Sequence, residues 1–128
     1  SSTCVLQGRP GQRYHLLGFP ALVLLELARV RPDRAAAYRD AAAELVEFLR
    51  GCSGIFSSPC AHAVAAAAAL ARDAETAHRI AGYLVSQQQV SGAFGGGDPE
   101  SISAMDDAAE TAFWLRYIDS GLASTTTL

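Results

Sequence analysis

Apolar residues along this chain recur every three to four positions and nowhere alternate with polar ones over five or more residues. The pattern predicts helices and no strands. Five helices are legible. The first is expected from about Pro20 to Val30, with Pro20 at its first position and Pro32 stopping it. The second follows Asp33, a good N-cap, and ends at Gly51, a good C′ residue. Tyr38, Ala42, Leu45 and Leu49 fall on its dry side, and Arg39, Asp40, Glu44, Glu47 and Arg50 on its wet side. The third is expected to have Ser58 as N-cap and Pro59 at its first position. Ala61 to Ala71 is then small and apolar at nearly every position, as in a helix buried all round. The fourth, capped by Asp73, turns Ala77, Ile80, Ala81 and Leu84 inward and Glu75, Arg79 and Ser86 outward. The fifth starts after Ser101 or Ser103 and carries Ala108, Ala112, Phe113, Leu115 and Ile118 toward Gly121. The ends, residues 1–12 and 123–128, read as frayed.

The pattern repeats. A shift of 38 residues lays Cys52-Ser53-Gly54-Ile55-Phe56 on Val90-Ser91-Gly92-Ala93-Phe94, with a helix on either side of each copy. Periods of about 20 to 50 residues mark stacked supersecondary units. Amphipathic helices taking turns with wholly apolar ones suggest two layers: an outer wall, and inner helices facing a core or cavity. The expected fold is all-α, a partial α/α toroid of antiparallel helical hairpins, with residues 1–128 forming one domain or part of one.

Composition narrows the class. Half of the residues are hydrophobic and 18% are charged, which describes a globular unit rather than a disordered one. All ten basic residues are arginines, dispersed along the chain and outnumbered by 13 acidic ones, so nucleic acid is not an expected partner. The longest apolar runs, Leu16 to Leu25 and Ala63 to Ala71, fall short of the roughly 20 residues that span a bilayer. Cys4, Cys52 and Cys60 are odd in number and widely spaced, so reduced thiols and a cytoplasmic location are expected. The chain opens at Ser1 without methionine, so a processed or excised piece of something longer is expected; the expected partner is a second copy in a homo-oligomer or the remainder of a longer chain.

The run Arg79, Tyr83, Leu84, Val85, Gln88, Gly92 and Phe94 resembles the repeat motif of the α/α-toroid superfamily of terpenoid cyclases and protein prenyltransferases, typified by squalene-hopene cyclase. The resemblance covers roughly residues 42 to 118. Ile80 stands where that family prefers Gly or Ala, Phe94 replaces a tryptophan, and the earlier copy ending Gly54-Ile55-Phe56 lacks the glutamine. The resemblance implies that Gln88, Gly92 and Phe94 form a structural motif joining an outer helix to the next inner one, with Gly92 in the left-handed conformation. It also implies a polyprenyl-type hydrophobic substrate. Carried over residue by residue, Ala104-Met105-Asp106-Asp107-Ala108-Ala109 stands at the family's acidic motif, which would make Asp106 the proton donor and Asp107 its neighbour. The motif's first aspartate and its threonine are missing here.

The residues themselves offer further chemistry. Asp106 and Glu110 are four apart and share a helix face, so they form a candidate acid and base; the plainer alternative is that Ser103 and Asp106 make a capping box. In a sugar-processing (α/α) barrel, Asp106, Asp107 or Glu110 would serve as acid and base. His62, at the start of the third helix, is disfavoured as a cation there and is a candidate base; His15 and His78 read as surface residues. Tyr83, Phe56, Phe94, Phe113 and Trp114 are the candidate substrate-binding aromatics, able to hold an apolar chain or a carbocation if they share a cavity. Cys52, Cys60 and His62 match no known zinc spacing, and Gly95-Gly96-Gly97-Asp98-Pro99 lacks the lysine of a phosphate loop, so neither metal nor cofactor is expected. Two functions of different classes remain: a terpenoid cyclase-like protein that starts ring closure by protonation, or a non-catalytic helical-repeat interaction module.

Overall fold

The computed structural model describes residues 4–94 and 102–126. Among these the chain forms five α-helices: α1 (His15–Val30), α2 (Ala35–Arg50), α3 (His62–Leu70), α4 (Ala74–Ser86) and α5 (Ile102–Thr126). Single 3₁₀ turns occupy Pro32–Arg34 and Ile55–Ser57. The described residues contain no strand, only an isolated antiparallel bridge between Gln88 and Phe94. The all-α class expected from periodicity is therefore observed.

Helix α3 is the centre of the packing. It touches α1, α4 and α5 extensively and α2 more lightly, while α2 packs chiefly on α1. Ala63 to Ala69 are each no more than 1% exposed. The alanine helix is thus enclosed core rather than the wall of an open cavity. Its methyl groups are short, so the neighbouring backbones have to come close. Glycine allows this on both sides: a Cβ added at Gly18 of α1 would lie 2.9 Å from the Val64 nitrogen, and one at Gly121 of α5 would lie 3.2 Å from Ala69 Cβ. Large side chains fill the remaining space, with Leu22 and Leu25 from α1, Val46 and Leu49 from α2, Ile80 and Leu84 from α4, and Trp114 and Ile118 from α5.

The amphipathic assignments for α2 and α4 agree with the burial pattern. Ala42, Leu49, Ala77, Ile80 and Leu84 are buried, whereas Arg39, Asp40, Glu44, Glu47, Arg50, Glu75, Arg79 and Ser86 are exposed. The helix ends differ more from expectation. Helix α1 starts at His15 and runs through Pro20, whose missing N–H affects only the carbonyl of the exposed Leu16. Asp33 does not cap α2; its carboxylate pairs with Arg31 at 3.0 Å. Gly51 ends α2 in a right-handed conformation, and its lack of a Cβ instead makes room for the Gln7 amide, 2.6 Å from where that atom would stand. Ser58 accepts from the Cys60 N–H at 3.1 Å, and α3 begins only at His62, so Pro59 lies before it. Asp73 caps α4 as expected, accepting from the Thr76 N–H at 3.2 Å and the Thr76 hydroxyl at 2.6 Å. Ser103 lies inside α5, which starts at Ile102, so it is not the residue that begins a capping box.

The segment before α1 was expected to fray, yet from Leu6 onward it is tied down. Gln12 brackets it through the Leu6 N–H at 2.8 Å and the Leu6 carbonyl at 2.6 Å. Gln7 donates to the Phe48 carbonyl at 3.0 Å, the Ser53 N–H donates to the Gln7 carbonyl at 2.7 Å, and the buried Tyr14 hydroxyl donates to the Ser53 carbonyl at 2.6 Å. At the other end α5 stays helical to Thr126.

The close approaches lead to a contrast between two glycines. Gly18→Ala forces its new methyl against α3 backbone and is expected to lower stability by about 1–3 kcal/mol. Gly82→Ala, on the exposed side of α4 with nothing within 4 Å, is expected to raise it by about 0.5–1 kcal/mol through helix propensity. Urea unfolding of the two variants checks this, and equal shifts in the two would count against the close packing of α1 on α3.

Candidate functional site

Three helices bring rings together at one place. Trp114 of α5 is buried and lies 5.1 Å from His62 of α3, 5.7 Å from Phe19 of α1, 5.5 Å from Phe113 and 5.9 Å from Tyr117, measured between ring centroids. His15 adds an edge contact to Phe19 at 5.9 Å, and it is half-buried rather than a free surface histidine. The positions follow from helix spacing. Trp114, Ile118 and Gly121 make the buried stripe of α5, and Phe113 and Tyr117 flank it.

His62 is the first residue of α3. Its Nδ1 lies 3.3 Å from the Pro59 carbonyl and its Nε2 3.5 Å from Glu110 on α5. Burial pushes its pKa below the usual 6.5, and His15 pushes the same way, against the Pro59 hydrogen bond and the Glu110 carboxylate. In the neutral ring Nδ1–H donates to Pro59, and the Nε2 lone pair then faces Glu110. His62 is therefore a neutral proton acceptor beside a carboxylate and against an indole.

Of the residues singled out from sequence, the structure gathers His62, Glu110, Trp114 and Phe113 at this cluster. Asp106 and Asp107 lie on the same helix with exposed side chains. Phe56, Tyr83 and Phe94 belong to a different part of the fold, each half-buried. The Phe56 ring carries the Arg79 guanidinium 3.5 Å above its centroid, which ties the loop after α2 to α4. The five proposed substrate-binding aromatics therefore do not line one cavity. Gln88 donates to the Gly92 carbonyl at 3.2 Å and pairs with Phe94 through the isolated bridge, so the three motif residues do form one turn. Gly92 has φ +88° and Gly54, its counterpart 38 positions earlier, φ +79°; both take the left-handed conformation. The stretch Gly95 to Pro99 lies outside the described residues.

Cys4, Cys52 and Cys60 are all free thiols. Burial pushes the Cys52 thiol up. Among the described residues no three His, Cys, Asp or Glu side chains gather as metal ligands. No helix among them is long and apolar enough to cross a membrane.

Two features escaped the reading of the sequence. Beside the ring cluster, an apolar groove of about 330 Å³ runs between α1 and α5, lined by Leu22, Val23, Glu26, Leu27, Val30 and Tyr117. Within it the Tyr117 hydroxyl donates to Glu26, which also pairs with Arg29 at 2.9 Å. Burial, with the Glu26 contact, pushes the Tyr117 phenol up to about 12. The signal was the spacing of Phe19, Val23 and Val30, which form an exposed apolar edge on α1 together with Leu16. Placing the start of that helix at Pro20 hid it. No protein-family model, curated protein or solved structure matches the chain.

The depressed His62 has a consequence for stability. The unfolded chain takes up the imidazole proton first, so this contribution is complete above pH 6.5 and is lost as pH falls below it toward the folded value. The slope cannot exceed about 1.4 kcal/mol per pH unit for one proton. In His62→Gln the acid-side loss just below pH 6.5 is expected to flatten. Urea midpoints across that range measure it, and an unchanged slope in the variant would contradict a buried neutral imidazole.

Proposed function

We propose that the chain is a terpenoid cyclase-like α/α-repeat unit, part of an α/α toroid, which binds an apolar polyprenyl-type ligand along the face shared by α1 and α5. The observation that carries this is the continuity of the ring cluster with the apolar groove. Phe19, Phe113, Trp114 and Tyr117 run into Leu22, Val23, Leu27 and Val30. Phe113 is 60% exposed and Val23 55%, so a ligand reaches them without unfolding anything. A flexible hydrocarbon chain gains about 25 cal/mol per Å² of apolar surface removed from water, and aromatic rings add shape and cation–π capacity.

The repeated helix-turn units, with their paired left-handed glycines and the Gln88 turn, support the toroid part of this proposal. Binding is better supported than cyclisation. Exposed carboxylates at Asp106 and Asp107 face water, which takes a proton far more readily than an alkene does. If chemistry occurs here, His62 is the group placed to accept a proton, with Glu110 beside it to stabilise the cation formed.

A second reading is a helical-repeat interaction module. It is favoured by the exposed edge of Leu16, Phe19, Val23 and Val30, which further protein would cover.

Trp114 is the sole tryptophan, so its emission reports on this face. Titration with farnesol is expected to give a saturable change in emission, weakened fivefold or more in Val23→Asp and Phe113→Ser. A response that never saturates, or one identical in the variants, would remove the ligand site. Self-association of the ligand-free protein that Val23→Asp abolishes would favour the interaction module.

A further inference from the structure

Helix α3 closes in a Schellman turn: the Arg72 N–H donates to the Ala69 carbonyl at 3.2 Å and the Asp73 N–H to the Ala68 carbonyl at 2.8 Å. The residue after the cap in such a turn is left-handed, a conformation that glycine takes without steric cost. Arg72 holds that place with φ 65°, and it is the one non-glycine residue with positive φ among those described. Glycine there would relieve the backbone. What the strained position retains is a guanidinium.

That side chain lines two adjoining clefts at the corner between α2 and the α3–α4 turn, which share Ala43, Ala71 and Arg72. The smaller, about 330 Å³, holds Arg50, whose guanidinium already lies 3.6 Å from both Glu47 and Asp73. The larger, about 440 Å³, is bounded by Arg39, Asp40, Leu25 and Leu70. Neither Arg39 nor Arg72 makes an ion pair among the described residues. This cleft therefore sets two uncompensated guanidinium groups from separate elements around a single carboxylate, with an apolar floor.

We propose that the larger cleft is a binding site for a phosphoryl group, that of a phosphate monoester. Arg72 and Arg39 hold the phosphate oxygens, because planar guanidinium groups match them in charge and in geometry. Asp40 accepts from the P–OH of the monoanion. The ester's carbon portion rests on Leu25 and Leu70. The site lies apart from the α1–α5 face and does not depend on a polyprenyl ligand binding there.

The test is calorimetric titration of the full chain at low salt with two probes, inorganic phosphate and butyl phosphate. Saturable binding is expected, weakening as salt is raised. Arg72→Gly suits the turn, so its melting temperature should equal or exceed that of the parent while its affinity falls tenfold or more. Arg39→Gln should lose affinity likewise, and Arg34→Gln, outside the cleft, should not. Tighter binding of butyl phosphate identifies an ester as the ligand, and equal binding of the two probes identifies the free anion through the same groups. Failure of both probes to saturate, or parental affinity in Arg72→Gly, overturns the site.

Discussion

A helix made almost entirely of alanine has little side-chain surface to contribute, so it can hold a fold together only if its neighbours come near enough to touch its methyl groups. Helix α3 meets that condition on both flanks, where Gly18 and Gly121 remove the Cβ atoms that would otherwise hold α1 and α5 away. Much else follows from this approach. With α1 and α5 drawn in against α3, their larger side chains meet at its first turn, which is why Phe19 and Trp114 gather with His62 in one ring cluster. The same geometry leaves the outer edges of α1 and α5 uncovered, because nothing in the described chain lies beyond them.

The site has a polarity that suits binding more than acid chemistry. Burial disfavours the charged form of His62, and burial with the Glu26 contact disfavours ionisation of the Tyr117 phenol. One carboxylate, Glu26, lies within the groove, held by Tyr117 and Arg29, and Glu110 lies beside His62. A largely apolar strip with a single carboxylate in its lining is in keeping with the apolar ligand proposed above.

Much of the fold was legible in the sequence, because α2 and α4 write their dry faces at helical spacing and α3 is apolar throughout. Asp73 was legible as a cap because its side chain acts within its own turn. Asp33 was not, since Arg31, two residues before it, takes its carboxylate, and Gly51 was not, since the Gln7 amide it makes room for lies far off in the sequence. The site was partly legible. His62, Glu110, Phe113 and Trp114 are neighbours because of helix packing, and only the spacing within α5 is written locally. Phe19 and Tyr117 were not legible, because the contacts that join them to the site, Phe19 to Trp114 and Tyr117 to Glu26, cross between helices, and no motif marks either.

The strap from Leu6 to Tyr14 has an implication for how the polypeptide is assembled. Its anchors, Phe48 and Ser53, come some forty positions later in the chain: the Gln7 amide bond spans 41 residues and the Tyr14 hydroxyl bond 39. During synthesis this segment therefore leaves the ribosome before its acceptors and must wait for the end of α2 to be made. Long-range closures of this kind come late, after loop entropy has been overcome. A stretch made ahead of its anchors is thus set to close after the helix that carries them.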